Sequence, residues 1–379
     1  MYPPGFDRDR SKSPFLDFVA SEFHERGTLR RRELAQKIIS HPFVSELGMR
    51  VPERLGVLDE IEALHDAELP DTFVLKLADG WSARGVMVLE RTGADEYFDH
   101  LNLQVHTAGS ITAVQREKAL SFDGRKPRWI VEESVKPLLG VGAIPFDYKF
   151  YCFSGEVGLV VQIDRNSHPT KVVLFDGEFR PLKRGTDYLL SEAANPGVPV
   201  VPLHAPEMLW WAQRLSLQAD SPFVRVDMMD SPSGPVFGEF TYSPGGTHKR
   251  TYVFSHKMLK RFDHLMTSPN EMSDDLGQTT FDIRTSLSHP DPSHFKSWAG
   301  FAYNGGARGA ERLHTFYKEQ ALDCGPDDPR FQWYRRLSAL WAGARDRLRP
   351  SKGRVEREET PPVVTDITPN SRLEAAPVP

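Results

Sequence analysis

Hydrophobic and polar residues alternate along two short stretches within residues 223–246, and this pattern predicts two β-strands. The stretches 224–228 and 236–242 follow the period of two that places successive side chains on opposite faces of a strand. Residues 230–235 between them are Asp, Ser, Pro and Gly, which form turns. The chain is therefore predicted to form a β-hairpin here, and the other elements are interpreted around it.

Four polar side chains share one face of this predicted hairpin. Arg225 and Asp227 lie two residues apart on the first strand, and Glu239 and Thr241 lie two apart on the second. The simplest register sets Asp227 opposite Glu239 and Arg225 opposite Thr241. Two carboxylates directly across an antiparallel pair repel each other, and a hard divalent cation between them would convert the repulsion into coordination. The hairpin thus predicts a magnesium site, with an ordinary solvated hairpin as the alternative.

The same reasoning predicts further strands and helices. Runs with a period of two, or rich in β-branched and aromatic residues, predict strands at 72–77, 86–89, 128–135, 147–153, 157–164, 172–175 and 179–182. Apolar residues at helical spacing predict helices over 14–40, 57–69, 206–219, 251–266, 310–320 and 332–347, and 95–106 is predicted to be helical or mixed. We therefore expect a chain that mixes helices with antiparallel strands.

A glycine-containing loop joins the predicted strands 72–77 and 86–89. Lys76 lies near the end of the first strand, and Gly80, Ser82 and Gly85 lie in the loop. Backbone N–H groups of such a loop bind phosphate oxygens, and a nearby lysine adds a positive charge. No Gly-Lys-Ser/Thr follows, so this is not a Walker loop. A hairpin with a flexible tip remains the alternative to a phosphate site.

Composition limits the class of protein. Of the 379 residues, 39% are hydrophobic and 26% charged, the proportions of a soluble globular protein. The formal net charge of −5 argues against bulk binding to nucleic acid or an anionic membrane. Cys152 and Cys324 form no disulfide framework or zinc pattern, and no apolar segment has the length of a signal peptide core or a membrane span. We expect a cytoplasmic protein.

Several of these segments, taken in order, resemble the motifs of the ATP-grasp superfamily. They are FVLK at 73–76, WIVEESV at 129–135, PFDYKFYCFSGE at 145–156 with VQIDR at 161–165, and FVRVDMMD with FGEFTYSPGG in the hairpin. Within the superfamily, the segments are most similar to the TupA-like ATP-grasp proteins, which are associated with teichuronopeptide and surface-polysaccharide biosynthesis. The resemblance covers roughly residues 29–250 and does not extend to 270–349.

The resemblance implies an α+β fold in which two α+β lobes grip ATP between antiparallel sheets. Its expected parts are an N-terminal helical region at 1–70, a nucleotide-binding lobe at 71–135, and a magnesium- and substrate-binding lobe at 136–266. A helical and loop extension at 267–349 and a disordered tail at 350–379 are expected to follow. The resemblance leaves the oligomeric state open, with a homodimer as the common assembly.

The activity that the resemblance implies is ligation of a small-molecule carboxylate to an amine, with ATP and Mg²⁺. The carboxylate would take the γ-phosphoryl group to give an acylphosphate, and the amine would then displace phosphate. The expected setting is surface polysaccharide or natural-product biosynthesis. Two alternatives stay open: a small-molecule or sugar kinase on the same fold, and a non-catalytic scaffold of this fold.

The resemblance also implies a role for each motif residue. Lys76 and Lys37 would hold the α- and β-phosphates, together with the loop of Gly80, Ser82 and Gly85. The adenine would contact the Glu132 side chain and main-chain groups of Glu133 and Val135. Magnesium would bind Asp227, Glu239 and, as a neutral oxygen ligand where many relatives have Asn, Thr241. The catalytic cations would be Arg225, at the acylphosphate and tetrahedral intermediate, with Lys149 and Arg165 facing phosphate or the acceptor carboxylate.

Overall fold

The computed structural model describes residues 3–6, 13–24, 27–78, 80, 83–120, 126–138, 142–248, 251–268, 307–327 and 329–348. The expected tail at 350–379, much of the expected loop region after 267 and the loop residue Ser82 lie outside these ranges. Within them, no helix is long and apolar enough to cross a membrane.

The described chain contains both helices and strands. The helices are α1 (Pro14–Phe23), α2 (Leu29–Leu34), α3 (Lys37–Glu46), α4 (Ala108–Ala119), α5 (Ala205–Gln218), α6 (Gly245–His248), α7 (His256–Thr267), α8 (Ala307–Cys324) and α9 (Pro329–Leu348), with a 3₁₀ turn at Ile61–His65. The strands are β1 (Arg54–Leu58), β2 (Thr72–Leu77), β3 (Met87–Gly93), β4 (Glu96–Asp99), β5 (Gln104–His106), β6 (Trp129–Glu133), β7 (Asp147–Phe153), β8 (Glu156–Asp164), β9 (Lys171–Asp176), β10 (Tyr188–Leu190), β11 (Asn195–Pro196), β12 (Val224–Ser231), β13 (Gly234–Thr241) and β14 (Tyr252–Phe254).

The first sheet has the strand order β1-β6-β2-β3-β4-β5, and all of its neighbouring strands are antiparallel. Phe73, Leu75 and Leu77 of β2 lie in the same buried cluster as Ile61 of the 3₁₀ turn and Ile111 of α4. Because side chains alternate along a strand, the intervening residues of β2 and β6 face away from this cluster. That second face is where the polar residues of the first lobe lie.

The second sheet has the strand order β11-β9-β8-β7-β12-β13, antiparallel except for the short parallel pair β11–β9. A core cluster on one face includes Phe150 of β7, Val226 of β12 and Leu215 of α5. The cluster on the other face includes Tyr151 of β7 and Phe262 of α7. The two sheets and their helices confirm the expected α+β class.

The expected division of the chain, with residues 1–70 as an N-terminal helical region, stays a prediction, and the described residues of this segment contact both lobes. The ring of Phe15 in α1 packs within 5.6 Å, centroid to centroid, of three rings of the second lobe, at Phe153, Phe223 and Phe262. Helix α3 packs against β13 of the second sheet, whereas β1 is an edge strand of the first. The N-terminal segment is therefore divided between the lobes, because its apolar side chains complete the cores of both.

Several predicted helices were wrong in extent or in type. The predicted helix over 14–40 is three helices, because Thr28 accepts a hydrogen bond from the Arg31 N–H and caps a new start at α2. Residues 57–69 instead contain the end of β1 and a 3₁₀ turn, since pairing with β6 decides the conformation. Residues 96–99 and 104–106 are strands rather than helix. The helix predicted over 251–266 begins only at His256, because residues 252–254 form β14 and Ser255 caps the start of α7.

Helices α8 and α9 confirm the two helices predicted near the C-terminus. They pack on each other, and Tyr317 of α8 stacks on Tyr334 of α9 with ring centroids 6.0 Å apart. Tyr317 and Trp341 are buried in the core cluster that includes α5. The Tyr317 hydroxyl donates to the Leu203 carbonyl oxygen at 2.8 Å. The C-terminal pair is therefore attached to the second lobe.

Candidate active site

The hairpin of β12 and β13 has the register that the sequence predicts. Asp227 pairs with Glu239 and Arg225 pairs with Thr241. Beyond Asp227 the register shifts, because Gly238 is an extra residue on β13 that forms a β-bulge. A Cβ added at Gly238 would lie 3.3 Å from the Asp227 carbonyl oxygen. The bulge lets both strands pair out to a two-residue turn while the two carboxylates stay opposite each other.

Arg225 links the polar residues of this hairpin. Its Nε and Nη2 donate to the two carboxylate oxygens of Asp227, each at 2.6 Å. The same Nη2 lies 3.1 Å from Glu239 Oε1 and 2.9 Å from Thr241 Oγ1. One guanidinium group therefore lies between the two carboxylates that were predicted to share a cation. The Thr241 hydroxyl is held between Arg225 and Glu239, since it also lies 3.4 Å from Glu239 Oε1.

Lys149 extends the cluster to the neighbouring strand. It pairs with Asp227 across β7 and β12, and its Nζ contacts both Asp227 Oδ2 and, at 2.6 Å, Asp147 Oδ2. Arg165, just after β8, lies 3.5 Å from the same oxygen of Asp147. The Arg165 side chain is 30% exposed and Lys149 is 9% exposed, so Arg165 forms the outer end of the cluster.

Two lysines that precede the second sheet in the sequence, one on α3 and one on β2 of the first sheet, were predicted to hold phosphate. Lys37, the first residue of α3, places Nζ 2.6 Å from Glu239 Oε2. Lys76 of β2 forms an ion pair with Glu132 of β6, on the face of the first sheet opposite its core. Glu132 and Asp227 both act electrostatically on Lys37. Of the predicted phosphate-binding lysines, Lys37 thus contacts a predicted metal ligand, and Lys76 pairs with the predicted adenine contact.

Burial and pairing set the protonation of these groups. Burial alone would lower the pKa of Lys37, but Glu239 outweighs it and the pKa lies above 10.5. Burial raises the pKa of Glu239, yet Lys37 and Arg225 hold it well below 4.5. Burial lowers the pKa of Lys76 below 10.5, with Glu132 opposing this effect. The carboxylate of Glu239 is therefore ionised and available as an oxygen ligand.

At the end of β6, the side chain and the N–H of Glu133 form hydrogen bonds that the sequence did not indicate. The carboxylate of Glu133 accepts two hydrogen bonds from Arg50 Nη2, at 2.8 and 3.0 Å, and one from the Glu53 N–H at 3.1 Å. The Glu133 N–H donates to the Glu53 carbonyl oxygen at 2.9 Å. The Val135 side chain is buried. An adenine contact at Glu133 would therefore use its carbonyl oxygen, because its N–H is already paired.

The glycine loop after β2 is partly described. Gly85 has a φ of +70°, and a Cβ there would lie 2.8 Å from Leu77 Cδ1, so both conformation and space require glycine. The Gly85 carbonyl oxygen accepts from Gln115 Nε2 at 3.0 Å. The Gly80 N–H donates to the Leu77 carbonyl oxygen at 3.1 Å. Phosphate binding by this loop remains a prediction.

The sequence matches the profile of the family described as TupA-like ATPgrasp over residues 21–264. The chain belongs to the TupA-like ATP-grasp family. Membership confirms the family and the ATP-grasp fold expected from the motifs. The matched residues include both sheets and every member of the charged group described above.

Solved ATP-grasp structures resemble the chain weakly. The ligase PsnB in complex with a minimal precursor is 12% identical with a TM-score of 0.36, and 67% of each chain is covered. D-Alanine-D-alanine ligase from Helicobacter pylori is 13% identical with a TM-score of 0.36, over 62% of this chain and 61% of that one. A RiPP-associated ATP-grasp ligase from Chryseobacterium gregarium, in complex with ADP and a leader and core peptide, is 11% identical with a TM-score of 0.34, over 66% of this chain and 67% of that one. The aligned part of this chain thus spans about two thirds or less of these structures, and similarity this weak transfers no residue role. Comparison with curated proteins gives no match.

The oxygens of this ATP-grasp site fit magnesium. Asp227 and Glu239 present carboxylate oxygens on one face, and the guanidinium between them shows that they converge on a common cation. Carboxylate and hydroxyl oxygens are the hard donors that Mg²⁺ takes, usually one or two from protein with phosphate and water completing the shell. Within the described residues, no group of three or more His, Cys, Asp or Glu side chains is arranged to hold a metal ion.

Sequence reasoning missed three parts of the ATP-grasp site. His41 of α3 lies 3.0 Å from the Gly238 carbonyl oxygen at the bulge, and burial beside Lys76 lowers its pKa to about 4. The buried Tyr151 hydroxyl bonds to Thr247 at 3.0 Å and to Tyr252 at 2.5 Å, next to Arg225 in the sheet. Arg50 is the third. None of these three residues lies in a recognisable sequence motif. The alternation of β7, however, places Tyr151 on the same face of the strand as Lys149.

Proposed function

We propose that the protein is an ATP- and Mg²⁺-dependent ligase that joins a carboxylate to an amine through an acylphosphate. The observation that carries the proposal is the set of ion pairs in which Lys37 contacts Glu239, Arg225 bridges Glu239 and Asp227, and Lys76 contacts Glu132. With Lys149, Arg165 and Asp147, this set has five cationic and four anionic side chains. A group with surplus positive charge suits a polyanionic triphosphate.

In the first step, an oxygen of the acceptor carboxylate attacks the γ-phosphorus and ADP leaves. Phosphoryl transfer needs positioning and charge neutralisation more than covalent help from the protein. Lys76, from the first sheet, and Lys37, from the helix that packs on β13, would supply two positive charges to the phosphate chain. Each would exchange its present carboxylate partner for phosphate oxygens, because both lysines already lie beside acids.

In the second step, the amine nitrogen attacks the acyl carbon and the C–O bond to phosphate breaks. The product is an amide and inorganic phosphate, and the amine loses a proton to solvent. Burial alone would lower the pKa of Arg225, but the Asp227 and Glu239 carboxylates raise it above its ordinary value, so its charge is constant. Arg225 would stabilise the oxygen that becomes negative in the tetrahedral intermediate. Lys149 and Arg165 would hold the acceptor carboxylate.

Magnesium, when bound, would neutralise the charge of the phosphate chain and polarise the γ-phosphoryl group. The residues that would hold it are Asp227 and Glu239, with the hydroxyl of Thr241. The proposed setting is surface polysaccharide or natural-product biosynthesis, which is the setting associated with the family. PsnB is solved with a precursor peptide, so peptide acceptors belong in the substrate panel beside amino acids and uronic acids.

Glu239→Gln tests the proposal most sharply. It removes a magnesium-binding charge from a side chain that is 31% exposed, so the fold is expected to tolerate it. We expect ATP turnover to fall by roughly 10²-fold or more, since losing one electrostatic stabiliser costs that much. The measurement is ADP and phosphate release across the substrate panel, with mass spectrometry of the products. An amide with free phosphate supports a ligase, whereas a phosphorylated product without an amide supports the kinase alternative.

The control is Glu192→Gln, which changes an exposed carboxylate outside the site. Asp227→Asn is less informative, because it removes one carboxylate partner from both buried cations, Arg225 and Lys149, and breaking a buried ion pair costs about 3–5 kcal/mol of stability. Unchanged turnover in Glu239→Gln would rule out the metal assignment.

A further inference from the structure

Within the described residues, the chain passes between the two lobes at two places. The first passage runs from α3, which packs on the second sheet, to β1, which belongs to the first. The second passage runs from β6 of the first sheet to β7 of the second. Two adjacent passages of this kind form a hinge, and what joins them sets the angle between the lobes.

Arg50 lies on the first passage and contacts both lobes. Its carbonyl oxygen accepts a hydrogen bond from the Phe237 N–H, on the edge strand of the second sheet, at 2.9 Å. Its Nη1 donates to Ser231 Oγ at 3.1 Å, at the end of β12. Its Nη2 donates to both carboxylate oxygens of Glu133, the last residue of β6 in the first sheet. One side chain thus connects the metal-binding hairpin to the strand that leads into the second passage.

The partners of Arg50 are fixed by further bonds. Glu133 Oε1 also accepts the Glu53 N–H at 3.1 Å, and the Glu133 N–H donates to the Glu53 carbonyl oxygen. Ser231 Oγ donates to the Gly234 carbonyl oxygen at 2.7 Å within the hairpin turn. Because both ends are held by backbone groups, a change in the angle between the lobes would have to break the Arg50 contacts.

We propose that Arg50 is a positioning residue that fixes the angle between the lobes and holds the end of β6 in register with the hairpin of Asp227 and Glu239. The inference rests on the proposed function for its kinetic consequence: the nucleotide is bound by groups from both lobes, so its phosphates and adenine are aligned only at one angle. An error of about 1 Å in such alignment costs about 10²-fold in rate.

The test measures the lobe angle and the kinetics separately. Dyes attached through Leu120→Cys, an exposed residue after α4, and Val198→Cys, an exposed residue after β11, report the distance between the lobes by energy transfer. Cys324→Ser removes a native thiol, and the other, Cys152, is fully buried. We expect Arg50→Ala to broaden or shift the distance distribution and to lower kcat/KM for ATP by about 10- to 100-fold. Arg50→Lys, which keeps the charge without the two-pronged contact, is expected to fall between.

Two further variants separate positioning from general stability. Glu133→Gln keeps a side-chain oxygen that can accept from the Glu53 N–H, and we expect it to change the lobe distance and kcat/KM in the same direction as Arg50→Ala. Because the two residues act through one contact, the loss in the double variant is expected to be no larger than that in the more affected single variant. Arg345→Ala breaks a 3.1 Å ion pair with Glu311 between α8 and α9 and is the matched control. A distance distribution that is unchanged in Arg50→Ala, with kinetics equal to those of Arg345→Ala, would overturn the proposal. If Arg50→Ala alters the distance between the lobes but neither the wild type nor any variant turns over ATP, the role of Arg50 is supported and the proposed ligase function is refuted.

Discussion

At the scale of single residues, every cation in the site has a carboxylate partner. Lys37 pairs with Glu239, Lys76 with Glu132, and Arg225 with Asp227. Removing one member of a buried pair leaves the other charge without compensation, which costs about 3–5 kcal/mol. For the two buried pairs, Lys76–Glu132 and Arg225–Asp227, loss of activity in a single variant therefore combines a lost ligand contact with a destabilised site, and tests need paired substitutions. Glu239 is 31% exposed, so a single substitution there is less affected.

Lys76→Met is expected to weaken ATP binding by about 10- to 100-fold, because charge-assisted hydrogen bonds contribute about 1.5–3 kcal/mol. The measurement is ATP binding by calorimetry, together with the melting temperature. Adding Glu132→Gln removes the unpaired carboxylate, so the double variant is expected to regain stability without regaining ATP affinity. Lys171→Met changes an exposed lysine on β9 and serves as control. Wild-type ATP affinity in Lys76→Met would show that this lysine does not hold phosphate.

At the scale of elements, the β-bulge at Gly238 decides how the two carboxylates face each other. Without Gly238 as an extra residue on β13, the pairing that starts at the turn would place a residue other than Glu239 opposite Asp227. His41 of α3 holds the bulge through the Gly238 carbonyl oxygen. The facing arrangement of the two carboxylates is thus a property of the hairpin and the helix that packs on it, in addition to the residue types.

Gly238→Ala is expected to reduce turnover more than stability. The added Cβ would lie 3.3 Å from the Asp227 carbonyl oxygen, so the backbone at Asp227 must shift by a few tenths of an ångström. We expect a higher Mg²⁺ concentration at half-maximal turnover, with a change in unfolding free energy of about 1 kcal/mol. Gly56→Ala is the matched control, because Gly56 also flanks a bulge but has open space for a Cβ. Equal Mg²⁺ titrations in the two variants would contradict the role of the bulge.

At the scale of the whole molecule, one junction connects the second sheet, α5 and the C-terminal helices. Asp230 at the end of β12 accepts the Leu203 N–H at 2.8 Å and contacts His204 Nδ1 at 2.6 Å. Tyr317 of α8 donates to the carbonyl oxygen of Leu203. Burial alone would lower the pKa of His204, but Asp230 outweighs it and the pKa lies above 6.5. Charge pairing at this junction therefore contributes to the stability of the assembled protein.

This pairing predicts a pH dependence of stability. The folded protein binds the His204 proton more tightly than the unfolded chain, so the contribution is complete below about pH 6.5 and is lost as pH rises through the folded pKa. Urea unfolding at pH 6 and pH 9 measures the loss, and His204→Gln is expected to reduce the difference. His264→Gln removes an exposed histidine of α7 as control. A difference that persists in full in His204→Gln would assign the pH dependence to other groups.

The sequence by itself determined the parts of the fold that depend on local pattern. The alternation at 224–228 and 236–242 predicts the hairpin and its register, and the motifs predict the ATP-grasp family. It did not predict β1, because a short run such as 54–58 becomes a strand by pairing with β6, which lies more than seventy residues later. Local pattern also assigned the N-terminal segment to one region, whereas packing divides it between two lobes.

Tertiary structure alone decided how the site is assembled. Three residues of the site come from a segment that sequence reasoning treated as a separate helical region: Lys37, His41 and Arg50. Each contacts a residue of the hairpin that lies some 200 positions later in the sequence. Residue types and spacing indicate which groups carry charge. Which charges meet, which carboxylate stays ionised and which backbone groups remain free depend on burial and on partners distant in sequence, and these follow from the folded structure.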